Sequence, residues 1–178
     1  MKTAYVLVLA LLLGCSQKQS DGYDVSDAAV IKKRIHDYHE ALASAYNGAP
    51  ISTDSLLDAY FDPEVYYVTY WGTAEPIDTT KTRFRNAVKF LKEYEYSTEN
   101  LTVKSYGNGA YTFFVLRQSY ALYGQLMDEY LPTTWVWEKR HGIWKVVHAQ
   151  RCADLPTIQQ LFDAARRREQ EQKPAGEK

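Results

Sequence analysis

Thr134-Trp135-Val136-Trp137-Glu138-Lys139-Arg140-His141-Gly142-Ile143-Trp144 is the stretch whose reading decides the fold. β-Branched and aromatic residues on both sides of a His-Gly pair read as two strands joined by a two-residue turn. Such a turn dictates which side chains face one another, and it sets Lys139 opposite Trp144, Glu138 opposite Lys145, Trp137 opposite Val146 and Trp135 opposite His148. One face then gathers Trp135, Trp137, Trp144, Val146, His148 and Gln150, while the other carries Thr134, Val136, Glu138, Lys145, Val147 and Ala149. Aromatic rings with a His and a Gln can line a pocket, and they can equally form a core whose nitrogens find internal partners.

Upstream of that hairpin a second one is expected. Leu101–Tyr106 and Tyr111–Leu122 flank Asn108-Gly109, a pair that supplies the positive φ angles of a tight hairpin turn. Further back the period changes from two to between three and four. Ile31, Ile35, Tyr38, Leu42 and Tyr46 recur at helical spacing after Asp24 or Ser26, either of which can cap, and Asn47-Gly48 supplies the stop. A shorter helix through Leu56, Leu57 and Tyr60, capped by Thr53 or Asp54, leads into the turn Phe61-Asp62-Pro63-Glu64 and a strand from Val65 to Trp71. A third helix is read from about Thr79 to Tyr94, with Phe84, Val88 and Leu91 on one stripe. Downstream, Pro156 can start a last helix carrying Ile158, Leu161, Phe162 and Ala165. Helices first and long antiparallel strands afterwards argue α+β architecture.

The N-terminus carries a different signal. Lys2, the ten-residue apolar run Ala4–Leu13 and a small residue before Cys15 have the layout of a cleaved secretory leader, too short to span a bilayer as a mature helix. Ser16 to Gly22 is polar and reads as a flexible tether. Removing the first 14 of the 178 residues leaves 164, enough for one ordinary domain with tails. The expected divisions are 1–14 leader, 15–23 tether, 24–155 domain and 156–178 helix with a charged tail.

Formal charge is −1 for 178 residues, so no electrostatic pull toward nucleic acid exists, and nucleic acid is not expected as a partner. Two cysteines, one of them in the leader region, exclude an intramolecular disulfide framework if Cys15 is otherwise used. The four His residues, at 36, 39, 141 and 148, have no metal-ligand spacing, and no cofactor motif is present.

Several of these segments are similar to known proteins. Leu12-Leu13-Gly14-Cys15 resembles the bacterial lipobox, which implies acylation of the Cys15 thiol and anchorage of the mature chain in a membrane. Ser16 after that Cys, by resemblance to diderm sorting signals, implies the outer membrane facing the periplasm if the source is Gram-negative. Over residues 26 to 153 the order of elements resembles the cone-shaped nuclear transport factor 2-like superfamily. Phe114-Val115-Leu116-Arg117-Gln118, the Trp135–Trp144 block and Val146-Val147-His148-Ala149-Gln150-Arg151-Cys152 are most similar to SnoaL-like domains of the calcium/calmodulin-dependent kinase II association type. That resemblance implies a curved antiparallel sheet wrapped on the N-terminal helices, a pocket at the open end of the cone, and dimers or larger homo-oligomers. It also implies pocket arginines suited to a carboxylate ligand, at the positions of Arg117 and Arg151, with Trp135 where a third arginine would stand.

The expected function is therefore a lipid-anchored envelope protein that binds a small organic molecule, with a carboxylate as one candidate. Its expected pocket residues are Arg117, Arg151, Trp135, Trp137, His148, Gln150, Tyr38 and Trp71. Strict alternation puts Arg151 on the face opposite His148, so it reaches the pocket only if a bulge near Ala149 turns it inward. Two alternatives stand beside this reading. A proton-transfer enzyme of the ketosteroid isomerase or cyclase kind needs a carboxylate where Val68 or Thr69 stands, and neither supplies one. A dimerising interaction module would instead put aromatics such as Tyr66, Tyr67, Tyr70, Tyr120 and Tyr123 on the convex surface. Replacement of Cys15 by Ser is expected to move the protein from the membrane to the soluble fraction, since a few acyl chains at about 0.8 kcal/mol per buried methylene are then its whole anchor. Persistence of Cys15→Ser in washed membranes is the result that removes the lipobox reading.

Overall fold

The computed structural model describes residues 25–122 and 124–172. The leader, Cys15, the tether and Tyr123 lie outside the described residues. The elements follow as α1 (Val25–Tyr46), α2 (Thr53–Tyr60), β1 (Phe61–Val68), β2 (Ala74–Pro76), α3 (Ile77–Phe90), β3 (Leu91–Tyr106), β4 (Gly109–Leu122), β5 (Gln125–Arg140), β6 (Ile143–Arg151) and α4 (Leu155–Gln172). The strands form one curved, unclosed sheet in the order β2-β1-β6-β5-β4-β3. It is α+β as expected but mixed rather than wholly antiparallel, because β1 runs parallel to β6. The whole chain from β2 to β5 separates these two strands, a connection long enough for parallel pairing.

The helical stripe of α1 is the inner wall of the core. Ile31, Ile35, Tyr38, Leu42 and Tyr46 are all buried, the first three completely. Gly48, at φ +96°, ends the helix, and Asn47 ties its end to β3 by accepting from the Tyr94 N–H and donating to the Tyr94 carbonyl, both at 2.8 Å. Ser52 rather than Thr53 or Asp54 caps α2, its Oγ accepting from Ser55 N at 3.2 Å.

α3 stops at Phe90, four residues short of the expected end, and β3 starts at Leu91. Tyr94-Glu95-Tyr96-Ser97-Thr98 alternates as a strand does, and its pairing with β4 outweighs the helical stripe that ran into it. Glu93 and Asn100, at φ 54° and 55°, take up the two register shifts that bend this long strand. In the β5–β6 turn His141 and Gly142 both have positive φ, as the sequence requires. The β3–β4 turn falls on Gly107-Asn108, one residue earlier than read, with Tyr106 opposite Gly109.

The decisive irregularity lies in β6. Pairing runs as expected down to Trp137 opposite Val146, and then Val136 stands opposite His148, so that Val147 is an extra residue. Beyond it the alternation is reset. Ala149 and Arg151 join the inner face and are buried, whereas His148 is half-buried and Gln150 exposed on the outer one. The expected placement of His148 and Gln150 with Trp135 and Trp137 is thereby corrected, and Arg151 turns inward through a bulge two residues before Ala149.

β6 reaches only as far as Thr133 of β5, and α4 covers the edge that remains. Thr157 Oγ1 accepts from Tyr130 N and Gln160 Oε1 from Asp128 N, each at 3.1 Å, which satisfies strand N–H groups that no neighbouring strand reaches. Asp154 caps this helix through Thr157 N at 2.9 Å.

His39 sits in the core with the rings of Tyr96, Phe114 and Trp135 each 5.6 Å away, and neither ring nitrogen has a partner. Burial first, and the Arg151 charge second, push its pKa down to about 3. The unfolded chain, with an ordinary His, takes up this proton near pH 6.5, so the stability held by neutral His39 is complete above that pH and is lost as pH falls toward 3. Urea unfolding is expected to show about 2–3 kcal/mol lost to this group by pH 4.5, at 1.36 kcal/mol per unit, and His39→Leu is expected to flatten that part of the profile.

Candidate functional site

Between α1, α3 and the inner face of the sheet lies a cavity of about 230 Å³. Leu42 and Tyr46 face it from α1, Arg83, Phe84 and Ala87 from α3, and Tyr70 and Trp71 from the loop after β1. The sheet contributes Leu91, Tyr94, Gln118, Tyr120, Glu129 and Arg151. Every strand from β3 to β6 therefore supplies at least one side chain, because each turns alternate residues inward.

Two charges are set into this wall in different ways. Glu129 is 1% exposed. Its Oε1 accepts from Tyr120 Oη at 2.6 Å and its Oε2 from Gln118 Nε2. The Gln118 amide is oriented in turn by Tyr94, whose hydroxyl donates to Gln118 Oε1 at 2.8 Å. Burial raises the Glu129 pKa, while the bonds from Tyr120 and Gln118 and the Arg151 charge pull it back down. Burial and the neighbouring Glu129 in turn raise the pKa of Tyr120, so its phenol keeps its proton and donates.

Arg151 is 7% exposed, and its Nε and Nη2 have no hydrogen-bond partner. The guanidinium lies 5.6 Å from the ring centre of Tyr67, and among the described residues no carboxylate pairs with it. The hydroxyls of Tyr38 and Tyr67 and the indole N–H of Trp135 are also buried without partners. Arg83, the other cation of the cavity, is matched. Its Nη2 and Nε donate to Glu75 Oε1 at 2.6 and 2.9 Å, and Thr80 Oγ1 donates to the same oxygen at 3.0 Å.

Trp71 stands at the mouth, 53% exposed, on a turn closed by Thr69 N to Thr73 O and Gly72 N to Thr69 O at 2.9 Å and by Thr73 N to Thr69 Oγ1 at 3.1 Å. Its ring packs edge to face with that of Tyr70, the ring centres 4.7 Å apart, and the Arg83 guanidinium lies 5.7 Å from its centre.

Of the residues expected from the sequence, Arg151 and Trp71 line the cavity. Tyr38, Trp135 and Trp137 are fully buried in the core, where Trp137 Nε1 donates to Thr112 Oγ1 at 3.1 Å. Arg117 is on the outer face, 49% exposed, paired with Glu99 at 2.6 Å and 4.9 Å from the ring centre of Tyr130. The reason is parity: Thr112, Phe114, Leu116 and Tyr120 of β4 point inward, so residue 117 points out. Glu129, Gln118 and Arg83 are not among the expected pocket residues, and Tyr120, which the interaction-module reading would put on the convex surface, lines the cavity instead. Met127-Asp128-Glu129-Tyr130-Leu131 carries a signal for Glu129, an acid on the parity of two apolar residues, in a strand that begins as far back as Gln125. Among the described residues no group of three or more His, Cys, Asp or Glu side chains is arranged to hold a metal ion, and no helix is long and apolar enough to cross a membrane.

No protein-family model and no curated protein matches the chain. Solved structures do. A nuclear transport factor 2-like superfamily protein from Salmonella enterica superposes with a TM-score of 0.62 at 18% identity, covering 72% of this chain and 91% of its own. A protein of this fold, of unknown function, from Pseudomonas putida gives 0.62 at 14% identity, with 76% and 94% covered. The calcium/calmodulin-dependent kinase II hub of S. rosetta gives 0.56 at 17%, with 71% and 95% covered. The chain has the nuclear transport factor 2-like fold, as its Trp135–Trp144 block implied.

Tyr120→Phe removes one of the two donors that favour ionised Glu129. The carboxyl resonance of Glu129, followed by NMR across pH, is expected to titrate higher than in the parent protein, with a stability loss of about 1.5–3 kcal/mol at neutral pH.

Proposed function

We propose that this protein binds a small carboxylic acid in its conical cavity, with Arg151 as the anchoring cation. The observation that carries the reading is Arg151, which lines the cavity and whose buried guanidinium has two nitrogens without a hydrogen-bond partner. A buried charge without a partner is costly. A carboxylate accepting two parallel N–H bonds removes that cost and gains the strength of a charge-assisted pair. The cavity volume of about 230 Å³ falls below the roughly 300–1,000 Å³ of sites for drug-sized molecules, which favours a ligand of few heavy atoms. Apolar lining from Leu42, Phe84, Ala87 and Leu91 suits a hydrocarbon portion.

The tyrosines favour a ligand over a purely adhesive role. Of the interface candidates Tyr66, Tyr67, Tyr70 and Tyr120, Tyr67 is buried, Tyr70 and Tyr120 line the cavity, and Tyr66 alone of these four, 60% exposed, faces outward. Self-association is a second property supported by a specific observation. Tyr111 and Val136 are opposite one another on β4 and β5, and with Phe113 they leave an exposed apolar strip on the outer face suited to a second copy. The lipobox-like Leu12-Leu13-Gly14-Cys15 supports anchorage at a membrane of the cell envelope, with the outer membrane facing the periplasm for a Gram-negative source.

Phenylacetate and pentanoate are expected to raise the melting temperature of the purified protein in proportion to the logarithm of their concentration, and the matching amides are not. Arg151→Met is expected to lose that response and to fold at least as stably as the parent, since it removes an uncompensated buried charge. Arg117→Ala, on the outer face, is expected to keep the response. An undiminished response in Arg151→Met overturns the reading.

A further inference from the structure

We infer that the ligand carries a cationic nitrogen as well as a carboxylate, the carboxylate paired with Arg151 and the nitrogen held by Glu129 and the rings beside it. The inference rests on the carboxylate-binding reading above and adds a second pole to it.

Glu129 is held as an acceptor. Both of its oxygens receive hydrogen bonds, from Tyr120 and Gln118, and both donors are neutral. The Tyr94 hydroxyl fixes the Gln118 amide so that its nitrogen, not its oxygen, faces the carboxylate. This chain of donors spans β3, β4 and β5 and is arranged to present an anion to the cavity. Its charge has no cation on it among the described residues, because no ion pair joins Glu129 to Arg151 and Arg83 is committed to Glu75 at 2.6 Å. A buried carboxylate and a buried guanidinium thus stand in the wall of one cavity, each supported by its own strand and neither neutralised by contact.

Charge balance selects the ligand. Arg83 and Glu75 cancel, and Arg151 with Glu129 leaves the cavity neutral when empty. A plain carboxylate on Arg151 adds a negative charge near Glu129 in a medium of low dielectric, where like charges repel strongly. It therefore binds only with a proton. A plain amine meets the opposite problem beside Arg151. A zwitterion adds no net charge and gives each buried group its counter-ion. The rings of Tyr70, Tyr94, Tyr120 and Trp71 share the wall with Glu129, and aromatic faces attract an ammonium group. The ligand class is that of amino acids and betaines, with the separation of the two poles setting the chain length.

Calorimetry with the purified protein tests this directly. The probes are the ω-amino acids from glycine to 6-aminohexanoate, each beside its matched acid and amine, for example 5-aminopentanoate beside pentanoate and pentylamine. One zwitterion of the series is expected to bind about tenfold more tightly than both of its matched partners. Measured in buffers of different ionisation enthalpy, the acid is expected to take up a proton near neutral pH and the zwitterion none. The groups that set this proton's affinity are Tyr120, Tyr94, Tyr70, Asp128 and Arg151 around Glu129. Glu129→Gln keeps the shape and is expected to abolish the zwitterion's advantage while the acid binds as well or better without a proton. Equal affinity of zwitterion and acid in the parent protein, or a preference that survives Glu129→Gln, overturns the inference. Acid binding that depends on Arg151 but shows no zwitterion preference overturns this inference alone, and no binding by any acid or zwitterion overturns the carboxylate reading with it.

Discussion

A single extra residue, Val147, governs what the interior of this fold can do. A strand has a side-chain period of two, so one inserted residue exchanges the faces of everything beyond it. Before the bulge, Trp144 and Val146 face inward and fill the core; after it, Ala149 and Arg151 do. Without the bulge, the inner face would end in His148 and Gln150 and the guanidinium would lie in solvent. The bulge thus converts the end of an ordinary core strand into a support for a buried cation. Its neighbour Ala149, fully buried opposite Trp135, is small enough to let the indole occupy the space beside it.

The interior is organised as two layers with different chemistry. Around Trp135 the rings of Tyr38, Phe61, Phe114 and Trp137 meet at 5.3 to 5.6 Å, mostly edge to face, and form an apolar floor. His39 belongs to this floor as a neutral ring, because burial suppresses its basicity. Above the floor lies the cavity, where two nitrogens of Arg151 have no partner and each oxygen of Glu129 accepts one hydrogen bond from a neutral donor. Buried polar groups are normally partnered, and the two unpartnered nitrogens of Arg151 are the observation on which the proposed carboxylate site rests.

The other cation of the cavity wall, Arg83, is matched within the chain. Arg83 leans on Phe84, Tyr67 and Trp71 while its charge is spent on Glu75, itself hydrogen-bonded by Thr80. It therefore acts as a rigid brace between β2, α3 and the Trp71 turn. Elsewhere, Asp27 near the start of α1 accepts from Lys139 at 2.8 Å and from Trp144 Nε1 at 3.1 Å, which fastens the first helix to the β5–β6 hairpin. Arg140 to Asp62 at 2.6 Å joins that hairpin to the entry of β1, with Asp62 also closing its own turn through Glu64 N. These bonds fasten α1 and the entry of β1 to the β5–β6 hairpin, while the Tyr94–Gln118–Glu129–Tyr120 chain joins β3, β4 and β5 within the cavity wall.

The helices, the β5–β6 hairpin and its turn were legible in the sequence because they are properties of neighbours along the chain: the spacing of Ile31 to Tyr46, the positive φ demanded at His141-Gly142, the two-residue period around Trp135 and Trp137. The extension of β3 back to Leu91, the parallel pairing of β1 with β6, and the Val147 bulge were not, because each is decided by a partner strand distant in sequence. The site followed the same division. Arg151 and Trp71 could be named as residue types in a plausible place, yet the parity of β4 put Arg117 outside and the bulge put His148 and Gln150 there too. Glu129 stayed hidden because the strand that carries it reaches further back than its own sequence announces. The sequence by itself determined which residues could alternate and where the chain could turn. Only the tertiary structure decided which face each charge would take, since a strand's parity is counted from its pairing partners and a single unpaired residue reverses it.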